Sequence, residues 1–266
     1  MRFFLGTHQV AWLATADVPL MVSRNRLARR VSLPCASAPW VMDSGGFTEL
    51  QQHGHWRITA KQYADEVERY ADGVGSLEWA APQDWMCEPV VIHGGTFKGV
   101  AFAGTGLSVT EHQARTVGNY LDLMALGAPV IPVLQGHTLA DYEACADRYA
   151  QAGVDLAALP VVGLGSICRR QNTDEIGEVV GAMAARGIRC HGFGAKAGAI
   201  RRYGALLESA DSMAWSYGGR RRGTCAHLRS RCASCLHWAL TWRDDVLAND
   251  HGDAVQMALP LEEITR

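Results

Sequence analysis

Eight short apolar runs alternate with amphipathic stretches along this chain, and that rhythm restricts its fold more than any single motif. The runs are RFFLGTH (2–8), VPLMVS (18–23), APWVMDS (38–44), SLEWAAPQD (76–84), APVIPVLQG (128–136), LAALPVVGLG (156–165), IRCHGFG (188–194) and SADSMAWS (209–216). Between most of them lie segments whose apolar residues recur with helical period, at 58–73, 110–127, 138–153, 173–187 and 195–209. Thr59 is placed to cap the first of these. Strands alternating with helices specify a parallel sheet. Eight such units in 266 residues predict a (β/α)8 barrel of the TIM type, a fold that needs about 250 residues. An open, doubly wound sheet is the alternative. The first two connections are short, so the start of the barrel is the least regular part. Residues 85–109 are glycine-rich and weakly periodic. A segment of that length reads as a functional loop, such as a lid. It lacks a Gly-Lys-Ser/Thr ending and so is not a phosphate-binding P-loop.

Composition narrows the function. With 48% hydrophobic residues the chain can fill one large core. A net charge of −2 excludes a global basic field for nucleic acid, leaving GGRRRG (218–223) as a local basic patch. The N-terminal residues show neither a signal peptide nor a membrane span, which predicts a cytoplasmic protein with no membrane partner. The eight cysteines are scattered except near the C-terminus. That pattern argues for reduced thiols and a metal site, not a disulfide scaffold.

Polar residues gather at the C-terminal ends of the predicted strands, where barrel active sites are built. They are Asp43, Gln83 and Asp84, Gln135-Gly136, Gly163-Leu164-Gly165, His191-Gly192-Phe193-Gly194, and Asp211-Ser212. Carboxylates, an amide and close-approaching backbone suit a planar ring rich in hydrogen-bonding groups.

The ordered set DSGGF (43–47), Asp84, VLQG (133–136), VGLGS (162–166), HGFG (191–194) and Asp211 resembles the tRNA-guanine transglycosylases. It spans roughly residues 38–235. The short length and C-terminal signature look more like the DNA-acting branch, the DpdA-type 7-deazaguanine transglycosylases of phages and bacteria. The resemblance implies exchange of guanine in DNA for a free 7-deazaguanine base, without strand cleavage. Asp211 would be the nucleophile, forming a covalent glycosyl ester. Asp43 would bind the base and move its proton. Ser44 falls in the same base-binding motif. Asp84 would take the amidine edge, Gln135 and the backbone near Gly163 the carbonyl side, and Phe47 and His191 would sandwich the ring.

Departures from the resembled pattern refine this. Thr48 stands where the family has glutamine, and no acid follows VGLGS. That acid accommodates an aminomethyl group in the bacterial tRNA enzymes, so its absence implies a neutral substituent, 7-cyano-7-deazaguanine. WSYGGRRR replaces the tRNA enzymes' Pro-Thr-Arg, which puts Arg220, Arg221 and Arg222 in reach of DNA phosphates. Arg169 and Arg170 are secondary candidates.

CAHLRSRCASCLHW (225–238) holds Cys225, His227, Cys232 and Cys235, a ligand set for a structural Zn2+, with His237 or His251 as alternative fourth ligands. The expected division is a barrel over 1–222 and a zinc-binding segment with a closing helix over 223–266. Competing readings are the same exchange on tRNA, a non-catalytic nucleic-acid-binding paralogue, and, least supported, a metal-dependent hydrolase.

Overall fold

A computed structural model describes residues 1–167, 174–195, 197–221, 225 and 232–248. The strands are β1 (Arg2–Thr7), β2 (Leu20–Ser23), β3 (Trp40–Asp43), β4 (Leu77–Ala80), β5 (Gly95–Phe97), β6 (Val100–Phe102), β7 (Val133–Leu134), β8 (Val162–Leu164), β9 (Cys190–Gly192) and β10 (Ser209–Ser212). The helices are α1 (Arg24–Leu27), α2 (Gly46–His53), α3 (Ala60–Val74), α4 (Pro89–His93), α5 (Val109–Ala125), α6 (Leu139–Gln151), α7 (Asp174–Ala185), α8 (Ala197–Tyr203), α9 (Ala214–Arg221) and α10 (Leu236–Ala248).

All eight apolar runs supply a strand to one sheet, in the order β4-β3-β2-β1-β10-β9-β8-β7. Every neighbouring pair is parallel. The sheet is curled. Next to β7, Val130 forms a lone parallel bridge with Ala80 of β4, the strand at the other end of the sheet. The Ala80 N–H donates to Pro129 O at 2.8 Å, and the Ile131 N–H donates to Ala80 O at 3.1 Å.

Local chemistry sets the helix starts. Thr59, Ser108 and Thr138 each accept from the backbone N–H three residues on, and Gln62, Glu111 and Asp141 reach back. Each such capping box satisfies two N–H groups that a bare helix end leaves open. The early connections are a 3-10 turn (Val10–Ala14) and the single turn of α1, as their lengths require.

The segment 85–109 differs from the expected loop. It folds into α4 and an antiparallel hairpin, β5 with β6. Lys98 and Gly99 at the tip both have positive φ, 51° and 77°, the two-residue turn whose twist matches a hairpin. The arginine run also differs from a loop. Arg220 and Arg221 are the last residues of α9, which begins two residues after β10. Arg169, Arg170, Arg222, His227 and His251 lie outside the described residues.

Period-two alternation divides the core. Leu5, Val22, Trp40, Met42, Leu134 and Leu164 face the helices and pack with Tyr63, Tyr70, Tyr142 and Tyr149. Phe4, Met21, Val41, Trp79, Ile131 and Val161 face inward and form a cluster of their own, with Phe193 against it. Two residues further along β1, β2, β3 and β4 come Gly6, Ser23, Asp43 and Ala81, and all four line the cavity described below. The inner apolar cluster is therefore its floor. Among the described residues no helix is long and apolar enough to cross a membrane.

Candidate active site

At the C-terminal ends of the strands lies a cavity of about 410 Å³. Asp43, Ser44, Phe47, Asp84, Gln135 and Asp211, drawn from distant parts of the chain, all line it. So do Glu88, Ser166, Phe193 and Met86. Its walls are largely apolar and its polar groups few, the usual make-up of a small-molecule site.

A chain of hydrogen bonds runs along one side. Ser44 Oγ donates to Asp84 Oδ1 at 3.1 Å. Gln135 Nε2 donates to Asp84 Oδ2 at 2.6 Å. Ser166 Oγ lies 2.6 Å from Gln135 Oε1 and 2.9 Å from Glu88 Oε2, and it accepts the Cys87 N–H at 2.8 Å. Ser166 holds a left-handed φ of 56°, unfavourable for a residue with a Cβ, and these contacts fix it there.

Counting protons constrains this chain. A hydroxyl has one proton and so satisfies one of two acceptors. With Asp84 ionised, Gln135 donates to Asp84 and Ser166 donates to Gln135. Glu88 must then bring the proton for its own contact. In the reverse arrangement Asp84 carries the proton, the Gln135 amide is turned over, and Ser166 donates to an ionised Glu88. Every contact is a hydrogen bond only when at least one of the two carboxyls is protonated. Burial, reinforced by the charge of Asp43, pushes Asp84 up to about 7, against the bonds it accepts from Ser44 and Gln135.

Asp43 ends β3, in register with Ser23 of β2, whose hydroxyl bonds its carboxyl. Its Oδ2 also accepts the Gly45 N–H at 3.2 Å. Gly45 has φ 74°, and an added Cβ there would lie within 2.5 Å of Asn25, so the Asp-Ser-Gly-Gly turn needs glycine at this position. Burial raises the Asp43 carboxyl above its ordinary range. The Ser23 and Gly45 bonds oppose the shift, and the nearby charge of Asp211 adds to it. Asp211 is buried on β10, opposite Phe4 of β1. Its Oδ1 accepts the Gly194 N–H at 2.7 Å and lies 3.4 Å from His191 Nε2. Among the described residues its other oxygen has no hydrogen-bond partner, which leaves a free lone pair facing the cavity.

Two expected base contacts are placed elsewhere. The Gly163 N–H donates to Pro132 O at 2.8 Å within the sheet, so it has nothing left to offer a base carbonyl, and Gly163 does not line the cavity. His191 is fully buried beneath the floor, against Trp79, Phe193 and Phe4. Its Nδ1 meets Ser209 Oγ at 2.8 Å and its Nε2 faces Asp211, so it orients the carboxylate and stacks on nothing in the cavity. Phe193 takes the wall position, over a Gly163 whose absent Cβ would strike its ring at 2.5 Å. Phe47 lines the cavity, edge-on to Phe102 at 5.6 Å. Glu88, Ser166 and Phe193 were not singled out from the sequence. Of these, only Phe193, two residues after a buried inward position, carried a signal.

Against α9, the sulfurs of Cys225, Cys232 and Cys235 lie within 4.8 Å of one another. Cys232 Sγ accepts the Cys225 N–H at 3.1 Å, and Cys235 Sγ accepts the Trp238 N–H at 3.5 Å. Three converging thiols with N–H groups aimed at sulfur fit a thiophilic metal ion. The loop is fastened to α9 and β1: Ser216 Oγ donates to Ala233 O, Trp238 Nε1 to Trp215 O, and Ser234 meets His8. The seven described cysteines are free thiols.

Fold and cavity together define an α/β protein with a carboxylate-rich pocket, sized for a planar base, at the C-terminal edge of a parallel sheet. The chain belongs to the DpdA family, DeoxyPurine in DNA protein A, which matches residues 1–259. That membership makes it a DNA-modifying enzyme of the transglycosylase type. No curated protein matches the chain.

Proposed function

We propose that this protein exchanges a guanine in DNA for a 7-deazaguanine, by way of a covalent aspartyl-glycosyl intermediate on Asp211. The observation that carries the reading is the meeting of Asp43 and Asp211, from β3 and β10, in one cavity with Asp84 and Gln135. Two carboxyls at a glycosidic carbon, one a nucleophile and one a proton carrier, are the working parts of a double displacement.

The free oxygen of Asp211 attacks C1′ of the target nucleotide as the bond from C1′ to N9 breaks. The bonding pair leaves with the purine, which takes a proton from Asp43. An Asp43 carboxyl raised by burial and by Asp211 suits holding that proton. The incoming base then yields its N9 proton to the Asp43 carboxylate. Its N9 attacks C1′, and Asp211 departs as a carboxylate. Asp84 accepts from the amidine edge of either base, Gln135 holds the carbonyl side, and Phe47 and Phe193 flank the ring. Ser44, bonded to Asp84, keeps that carboxylate in place. Arg220, Arg221 and Arg222 supply phosphate contacts. The incoming base carries a neutral 7-substituent, cyano being the one favoured.

We infer further that the bridge between Ala80 and Val130 closes the sheet as a (β/α)8 barrel. The metal held by Cys225, Cys232 and Cys235, with His227 as fourth ligand, is zinc. It would tie the chain after α9 to the barrel and take no part in the chemistry. The segment from 223 onward forms the smaller unit.

Mass spectrometry of nucleosides tests the reading. Duplex DNA incubated with the protein and 7-cyano-7-deazaguanine should gain the modified nucleoside. Asp211→Ala should gain none while still binding DNA. Exchange on unmodified tRNA with none on DNA would overturn the assignment of the polymer.

A further inference from the structure

Beside the cavity lies a second depression of about 550 Å³, which shares Thr7, Ser23 and Met213 with it. Four arginines, Arg24, Arg26, Arg29 and Arg57, line it against a single carboxylate, Glu49. That carboxylate is already committed. Glu49 takes a bidentate fork from Arg57, both contacts at 2.9 Å, and lies 3.9 Å from Arg24. Arg24 is buried and forks onto Glu66 at 2.5 and 3.0 Å. Arg26 and Arg29 are exposed and make no ion pair among the described residues. Leu27 between them is fully buried, which pins the single turn of α1 and points its neighbours outward. The field extends to α9. His8, which also lines the depression, is lowered first by burial and then by the charges of Arg26 and Arg220. Asn25 and Gln52 add neutral donors along the walls.

We propose that this groove carries the DNA backbone flanking the exchanged nucleotide, with Arg26 and Arg29 each bound to a phosphate. The inference rests on the base-exchange reading above. A cavity of about 410 Å³ holds one base and its sugar, so the adjoining phosphates must lie at its rim. The groove meets that rim along Thr7, Ser23 and Met213. Unpaired arginines on a fixed turn, beside others already oriented by Glu49 and Glu66, match a chain of monoanions at regular spacing.

The test is DNA binding to the whole protein, read by fluorescence anisotropy over a range of salt concentrations. The double variant Arg26→Gln/Arg29→Gln should bind more weakly. Its slope of log affinity against log salt should be shallower by roughly 1.4 to 1.8, the loss of two phosphate contacts. Its affinity for free 7-cyano-7-deazaguanine should be unchanged, because neither arginine lines the base cavity. Arg186→Gln, a control at the C-terminal end of α7, should bind DNA as the wild type does. A double variant with wild-type affinity and slope would overturn the groove while leaving the exchange reading intact. A wild-type protein that binds no DNA would overturn both.

Discussion

Ser166 Oγ lies 2.6 Å from Gln135 Oε1, and through that contact Asp84 and Glu88 are joined in one chain of hydrogen bonds. In the proposed pose a base donates two N–H bonds to Asp84, which must then be ionised. Ser166 then donates to Gln135 and turns only a lone pair toward Glu88. The case for a neutral substituent first rested on a missing acid after VGLGS. The structure supplies an acid from another segment, Glu88, in the cavity wall beside Ser166. Ser166→Ala cuts the chain and takes this partner from Glu88. The ratio of kcat/KM for the aminomethyl base over the cyano base should rise at least about tenfold, since Glu88, released from Ser166, can pair with an ammonium. An unchanged ratio in competition assays would contradict the linkage.

Base binding should depend on pH through Asp84. Its carboxyl titrates near 7. Below that it is protonated and loses one acceptor for the amidine edge. Asp43, Glu88 and Asp211 are the other carboxyls lining the cavity. Affinity for the free base should climb between about pH 5 and pH 7, by up to about tenfold per unit, and level off above about pH 8. Calorimetric titration across that range reads it. A flat profile would contradict the role given to Asp84.

The same carboxyl lowers stability. Its folded value, about 7, is above its unfolded value near 4, so the folded state binds the proton more tightly. The stability this group contributes is fully present below about pH 4 and is lost as pH rises through 7. Three units correspond to at most about 4 kcal/mol. Asp84→Asn should therefore resist urea better than the wild type at about pH 8, by about 1 to 4 kcal/mol. The gap should close near pH 4. A less stable variant at pH 8 would show that the ionised carboxylate is held favourably.

His191 and Phe193 should separate kinetically. His191→Phe keeps the buried ring but drops the contact to Asp211. It should lower the exchange rate about 10- to 100-fold with little change in base affinity. Phe193→Ala removes a wall of the cavity and should raise KM for the base. Burst and steady-state kinetics distinguish the two.

Removing the metal should loosen the segment packed on α9. The purified protein should contain about one zinc per chain. Cys235→Ser or a strong chelator should lower Tm by on the order of 10 °C, several kcal/mol for a chain of this size. Elemental analysis and thermal melts check both points. A metal-free protein with full stability would contradict the site.

The eight strands were legible because apolar runs and helical periods alternate without interruption. Asp43, Asp84, Gln135 and Asp211 were legible because strand ends mark the active face of such a sheet. Depth was not. His191 lies on β9 and Phe193 just past its end, and period two alone cannot tell which lies in the floor and which in the wall. Gly163 looked available because its ladder bond to Pro132 exists only once the sheet is formed. Glu88 and Ser166 were hidden in segments without periodicity, and their meaning depends on meeting Gln135. The stretch RNRLARR (24–30) carries nothing in its own residues that tells its arginines apart. Its distinction between paired Arg24 and unpaired Arg26 and Arg29 comes from Glu49 and Glu66, far along the chain.

The most direct test of the central claim is the covalent intermediate. Duplex DNA should be mixed with the protein without incoming base, quenched in acid and digested, and the adducts located by peptide mass spectrometry. A sugar joined by an ester to the peptide containing Asp211, absent from Asp211→Ala and discharged by added 7-cyano-7-deazaguanine, is the result predicted. An adduct on Asp43, or base exchange that survives Asp211→Ala, would contradict the account.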